Sequence, residues 1–286
     1  MHSRYQRLAI VLAAAGLACA RATTATTTTP TTTTTTSTTT TTSSTTQAQT
    51  QTSASTATSS LPAARTLIDR YVQAIGGREA VLRHTTIRSV GSFEMPAAGV
   101  KGDLSVVQAT PNKMALTMNI PGMGQMNTGF DGTTGWSINP MQGPRLLEGK
   151  ELEQIREDAG PAATLRTPDR IRSAETVELT TMGGKSCYKV RIVSLSGRES
   201  FDCYSPESGL LVGMTQRQES PMGTVEVTTL FEEWKEFGGL KTATRLRQAM
   251  MGQEQILTID RLEFDRPEDL KAVEVPEQIK PLVKKP

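Results

Sequence analysis

Between residues 64 and 75 apolar side chains return every three or four positions: Ala64, Leu67, Ile68, Tyr71, Val72 and Ile75. That spacing predicts a helix over 61–75 with one apolar stripe. Ser59 or Ser60 would cap it, Pro62 would sit in its first turn, and Gly76-Gly77 would end it. Arg78 to His84 reads as a second, short helix. From Thr86 the period changes to two, the signature of strands with one dry face. Strands are expected over 86–95, 103–109, 114–120, 125–130 and 136–138. In the third, Met114, Leu116, Met118 and Ile120 alternate with Ala115, Thr117 and Asn119.

The stretch GFDGTTGWSINP, residues 129–140, poses the question of a ligand loop against a plain hairpin. Asp131-Gly132-Thr133-Thr134-Gly135 is turn chemistry, with Asp able to close an Asx-type turn. The local reading is a hairpin that carries Trp136 as a core or cavity-wall aromatic. A polar helix follows over 149–159, with Leu152 and Ile155 on one face. Strands then resume over 175–181, 187–193, 199–204, 210–218, 224–237, 240–250 and 253–264, separated by Gly- and Pro-rich turns. Glu232-Glu233, in mid-strand, marks a bulge that re-aims Trp234.

Strands joined in succession by tight turns make a meander. The expected fold is α+β, mainly β: a single long curved antiparallel sheet forming an incomplete, half-open β-barrel, with helices covering the concave face. A fully closed barrel would leave those helices without a partner.

Composition divides the chain of 286 residues. Residues 1–20 read as a signal peptide, with Arg4 and Arg7 ahead of the apolar run LAIVLAAAGLA. Two processing readings compete. Cleavage after Ala20 suits the small residues there, while GLAC resembles a lipobox that would make Cys19 a lipid-modified first residue and a membrane tether. Both imply export, to the periplasm or to the outer membrane. Residues 21–60 are almost pure Thr and Ser, with nothing to bury, and read as a disordered linker. The folded domain spans 61–266, and 267–286 reads as a Pro- and Lys-rich tail along the surface. The chain holds 31 Lys and Arg against 29 Asp and Glu. Without Arg4 and Arg7 the mature balance is neutral, so no basic field invites nucleic acid.

Chemistry is sparse. His84 is the one histidine beyond the signal segment, and no HExxH, GxSxG, Walker or Rossmann pattern occurs. The carboxylate pairs Glu151/Glu153, Glu157/Asp158 and Glu232/Glu233 have no partner that would push two pKa values apart. No enzyme, metal site or cofactor is expected. Cys187 and Cys203 flank the turn SLSGR. A three-residue loop centred on Leu195 would set them directly opposite each other, and in an oxidising compartment they would then form a disulfide. A slipped register would instead leave two small buried thiols. Of the twelve methionines, the eleven beyond Met1 fall mostly on strands and turns, which with few aromatics suits a soft apolar cavity or ordinary core filling.

The helix LIDRYVQAIGG, the stretch GFDGTTGWSINP and the hairpin CYKVRIVSLSGRESFDCYSPESGLL together resemble the LolA/LolB-type lipoprotein-carrier superfamily, and more closely exported outer-membrane lipoprotein-sorting proteins. The resemblance covers about 61–264. It implies an incomplete barrel whose hollow takes lipid or lipoprotein acyl chains. Relatives of this shape carry lipoproteins, bind lipids or sense envelope stress, so a stress sensor or scaffold with a protein partner is the alternative. Met114, Leu116, Met118, Ile120, Met126, Phe130 and Trp136 are the expected cavity wall, and Leu67, Tyr71 and Ile75 the expected lid. The protein is expected to be a monomer.

Overall fold

The computed structural model describes residues 61–220 and 223–283. The signal peptide, Cys19 and the Thr/Ser linker lie outside the described residues.

Among the described residues, thirteen strands form one antiparallel sheet. The first six are β1 (Thr86–Met95), β2 (Val100–Ala109), β3 (Lys113–Ile120), β4 (Gly124–Phe130), β5 (Gly135–Asn139) and β6 (Gly143–Leu146). The other seven are β7 (Ile171–Met182), β8 (Lys185–Ser194), β9 (Glu199–Tyr204), β10 (Leu211–Ser220), β11 (Gly223–Phe237), β12 (Leu240–Met250) and β13 (Gln253–Phe264). Their spatial order is 6-5-4-3-2-1-13-12-11-10-9-8-7. Each set of strands is thus a meander, and the two meanders join where β1 pairs with β13. The end strands β6 and β7 do not pair with each other, so the barrel is incomplete. The chain between them, through α3 (Gly149–Asp158) and a 3-10 turn at Pro161–Leu165, links the two open edges. The four-residue β6 was not expected, because Gly143-Pro144-Arg145-Leu146 carries no alternation to read.

Register separates the two faces. Leu104, Val106, Met114, Leu116, Met118, Ile120 and Phe130 point to the concave side, where they join Leu147, Ile155 and Leu165 of the closing segment and the stripe of α1 (Ala64–Ala74) in one core. Their neighbours Val107, Ala109 and Ala115 face the convex side and pack on Val273. The C-terminal segment is therefore more than a tail. It begins with α4 (Pro267–Ala272), buries Val273 and Ile279 completely, and seats the buried Asp269 3.0 Å from Arg88.

Helix α1 starts at Ala64, later than Pro62 would permit, and has no side-chain cap. Pro62 is occupied elsewhere: its carbonyl accepts a 2.6 Å bond from the Thr176 hydroxyl of β7. After α1 and the short α2 (Gly77–Leu82), the chain enters the sheet. Gly76 has φ 116°, and a Cβ there would stand 2.2 Å from the Gly239 carbonyl oxygen. The two glycine pairs, 76-77 and 238-239, are what let the end of α1 touch the β11–β12 turn. That contact is sealed by a 2.9 Å bond from the Lys241 N–H to the Ile75 carbonyl.

Cys187 and Cys203 are bonded. The hairpin is set differently from the sequence expectation: Tyr188 faces Tyr204 and Cys203 faces Lys189, so the loop centres on Ser196 and the cysteines are diagonal neighbours. Their Cα atoms are nonetheless 5.4 Å apart, within bridging range.

Candidate functional site

The concave face has two halves. Over β3–β5 it is filled. Leu147 and Leu152 of the closing segment press on Gly135, where an added Cβ would lie 3.0–3.1 Å from their side chains. Arg145 of β6 holds Glu151 of α3 with both guanidinium nitrogens, at 2.7 and 3.1 Å. Over β1, β2 and β11–β13 a cavity of about 140 Å³ remains open. Its apolar wall includes Tyr71 and Ile75 of α1, Val106, Phe231, Trp234, Ala243, Leu246 and Leu262. The turn Pro161–Leu165 roofs it with Pro161, Ala163 and Thr164.

Local backbone features put these groups in place. Glu233 has φ 51°, and Thr244 donates its hydroxyl to the Glu233 carbonyl. The pairing keeps its register across this point, with Glu232 opposite Arg245 and Trp234 opposite Ala243. The feature is therefore a kink within a paired ladder rather than a bulge with an extra residue. As expected from Glu232-Glu233, it re-aims Trp234, which lies 6.5 Å from Tyr71 and 6.3 Å from Phe231, ring centre to ring centre. A true irregularity in β13, paired as Val90–Arg261 and Gly91–Ile259, lets both Ile259 and Leu262 face inward.

The roof is pinned by polar bonds. The Tyr71 hydroxyl lies 3.2 Å from that of Thr164, and Arg65 donates to the Arg166 carbonyl at 2.8 Å. Arg166, with φ 48°, reaches the fully buried Asp202 at 3.2 Å. Arg198 clasps Asp158 at 3.0 and 2.5 Å. Burial, the largest influence, would lower the Arg166 pKa, but Asp202, Tyr204, Asp158 and Tyr71 together outweigh it and raise it. Burial raises the pKa of Tyr71 and of Tyr204, and Asp202 raises Tyr204 further. Both phenols are therefore neutral, and Tyr204 donates to Asp202 at 3.1 Å. Beneath the roof, Arg166, Arg198, Glu157 and Asp158 line a second, polar hollow of about 30 Å³, room for about two waters.

Of the ten expected wall and lid residues, Tyr71 and Ile75 line the cavity. Leu67 is buried in the core beside them, and Met114, Leu116, Met118, Ile120 and Phe130 lie in the filled part of the concave face. Met126 packs at the edge of that core. Trp136 is on the convex side. It is opposite Gly129, in the same row as Ala115 and Val107, and covers Gly129 with its ring while donating to the Asn127 amide oxygen at 2.6 Å. The hairpin at 129–140 is a hairpin: the Asp131 carboxylate accepts from the Thr133 and Thr134 amides at 2.8 and 2.6 Å. The wall residues missed were Phe231, Trp234, Ala243, Leu246 and Leu262. The Glu232-Glu233 anomaly was the signal that could have pointed to them.

Among the described residues no group of three His, Cys, Asp or Glu side chains could hold a metal ion, and no helix is long and apolar enough to cross a membrane.

No family model and no curated protein matches the chain. Solved structures do. A LolA superfamily protein of Nitrosomonas europaea, NE2245, matches with a TM-score of 0.50 at 12% identity, over 77% of this chain and 97% of its own. A DUF1329 family protein of Desulfovibrio piger matches with a TM-score of 0.51 at 10% identity, over 72% and 95% respectively. At such identities the likeness is one of fold: the chain has a LolA-like fold, mainly β, with an open curved sheet.

Proposed function

We propose that this protein binds or carries a hydrophobic ligand, a lipid or a lipoprotein acyl chain, in the bacterial cell envelope and catalyses no reaction. The observation that supports this is the cavity itself. It is an apolar hollow on the concave face, walled by Tyr71, Phe231, Trp234, Leu246 and Leu262 and closed by a turn held in place by side-chain bonds. Binding would remove ligand and wall surface from water, at about 25 cal/mol per Å² of apolar area. The LolA-like fold agrees with this reading. The segment 1–20 would direct export, Cys19 would be removed or lipidated, and residues 21–60 would tether the domain at the periplasmic side of the outer membrane.

The mature chain, purified from a periplasm, should carry co-purifying lipid or acylated peptide in native mass spectrometry and release it on organic extraction. A bare chain that also takes up no fluorescent acyl probe, neither acid nor alcohol, would end this reading. A second reading, a sensor or scaffold with a protein partner, is favoured by β7. This strand of 12 residues pairs on one side only and exposes Val177 and Leu179. A pull-down returning one stoichiometric protein and no lipid would support it.

A further inference from the structure

The polar groups of the cavity roof are spent on one another: Tyr71 with Thr164, and Arg166 with Asp202. The opposite wall differs. Gln108 of β2 lines the cavity, and its amide oxygen is buried without a hydrogen-bond partner. Register places it on the concave face, opposite Ile87 and Met114. Ser89 of β1 lines the same wall and is its diagonal neighbour, since Ser89 pairs with Val106 two residues before Gln108. A buried amide oxygen left unpaired in an apolar hollow is costly, and a ligand that satisfies it gains that cost back.

Resting on the ligand-binding reading above, we infer that the cavity selects an amphiphile with a neutral hydroxyl head, held by Gln108 with Ser89 beside it, its apolar body lying against Phe231, Trp234 and Leu246. The hydroxyl follows from chemistry. It both donates and accepts, so it satisfies the Gln108 amide in either rotation. A pure hydrocarbon leaves the amide unpaired. A carboxylate would have to shed its hydration beside Gln108, which offers it no charge; of the two cations that line the hollow, Arg166 is paired to Asp202 and Lys241 stands on β12, three strands from β2. The cavity volume, about 140 Å³, is close to that of an engineered cavity which binds benzene, so one short chain or ring fits and a two-chain lipid does not.

Calorimetric titration of the purified full chain with 1-octanol, octane and octanoate tests this. Octanol should bind at least about tenfold more tightly than either of the others, one hydrogen bond's worth. Gln108→Met, nearly isosteric, should erase that preference, with octane bound at least as tightly as by the native chain. Ser89→Ala should reduce the preference too, which keeps the test open if Gln108→Met fails to fold. Equal affinity for octanol and octane, or a preference that survives Gln108→Met, overturns the inference and leaves the ligand-binding reading standing. Failure of all three probes to bind overturns both.

Discussion

The two halves of the concave face are built from the same material and end differently. Over β3–β5, Met114, Leu116, Met118 and Phe130 are sealed under the closing segment. Over β11–β13, Phe231, Trp234 and Leu246 line a hollow. Alternation is unbroken in β3 and slips in β11 and β13, where Phe231 and Trp234, and Ile259 and Leu262, face inward three residues apart. The cover differs too. The filled half receives long side chains, Leu147, Leu152 and Ile155, from α3 and its approach. The hollow half receives a short 3-10 turn of Pro161, Ala162 and Ala163, whose small side chains do not reach the floor. A strand pattern specifies which face is dry, and the covering segment decides whether that face is solid.

This contrast can be broken most strongly by truncating one aromatic on each side. Phe130→Ala should cost about 3–5 kcal/mol, a transfer loss plus a new void. Phe231→Ala, already beside a void, should cost about 2 kcal/mol, the transfer loss alone. Urea midpoints would show it, and equal costs would mean the hollow collapses or fills. Next in size, the disulfide lies on the convex side with Met182 and Val212 and supports the shell rather than either half. Its loop of 16 residues predicts a loss of about 3 kcal/mol on replacing both cysteines with serine. Ligand affinity measured well below the melting point should not change.

A smaller effect comes from overfilling. Met118→Trp should destabilise by about 1–3 kcal/mol, since the filled half has no room. Ala243→Leu, pointing at the hollow, should cost about 1 kcal/mol or less while abolishing ligand uptake. Melting curves with and without ligand separate the two.

The smallest effect concerns acid. His84 lies 2.7 Å from Asp265 and stacks on Phe264, and Asp265 also accepts bonds from Thr85. The His84 bond first, then the Thr85 bonds, lower the Asp265 pKa from 3.8 to about 2. A depressed carboxylate stabilises the fold above its unfolded value, and the benefit fades as pH falls from about 4 towards 2. Asp265 is half exposed, so the loss should stay below about 1 kcal/mol. Asp265→Asn should remove that slope from a plot of midpoint against pH.

Much of the sheet was legible because its signals are local. Period-two alternation located β1, β9, β12 and β13 to the residue, and Gly76-Gly77 and Gly238-Gly239 marked real turns. The signals failed where tertiary partners decide. β6 exists because β5 offers it an edge, and the C-terminal segment docks because Val107, Ala109 and Ala115 leave a small-residue seat for Val273. Trp136 read as a concave aromatic, yet a one-residue offset from Phe130 across a tight turn puts it on the other face. The cavity was the least legible feature. Emptiness depends on residues 160–166 meeting strands far away in sequence, and no window of the chain contains both.

The seam between β1 and β13 sets an order of events during synthesis. Gly91 leaves the ribosome long before its partner Ile259 exists. Every other strand pair joins neighbours in the chain and can form as it emerges, but this pair must wait for nearly the whole domain. A nascent or truncated chain ending before residue 253 would present β1 as a bare edge, open to pairing with the wrong strand. Exported as proposed above and still unfolded on arrival, the chain would have all its strands when folding begins, and the last seam would close without a period of exposure.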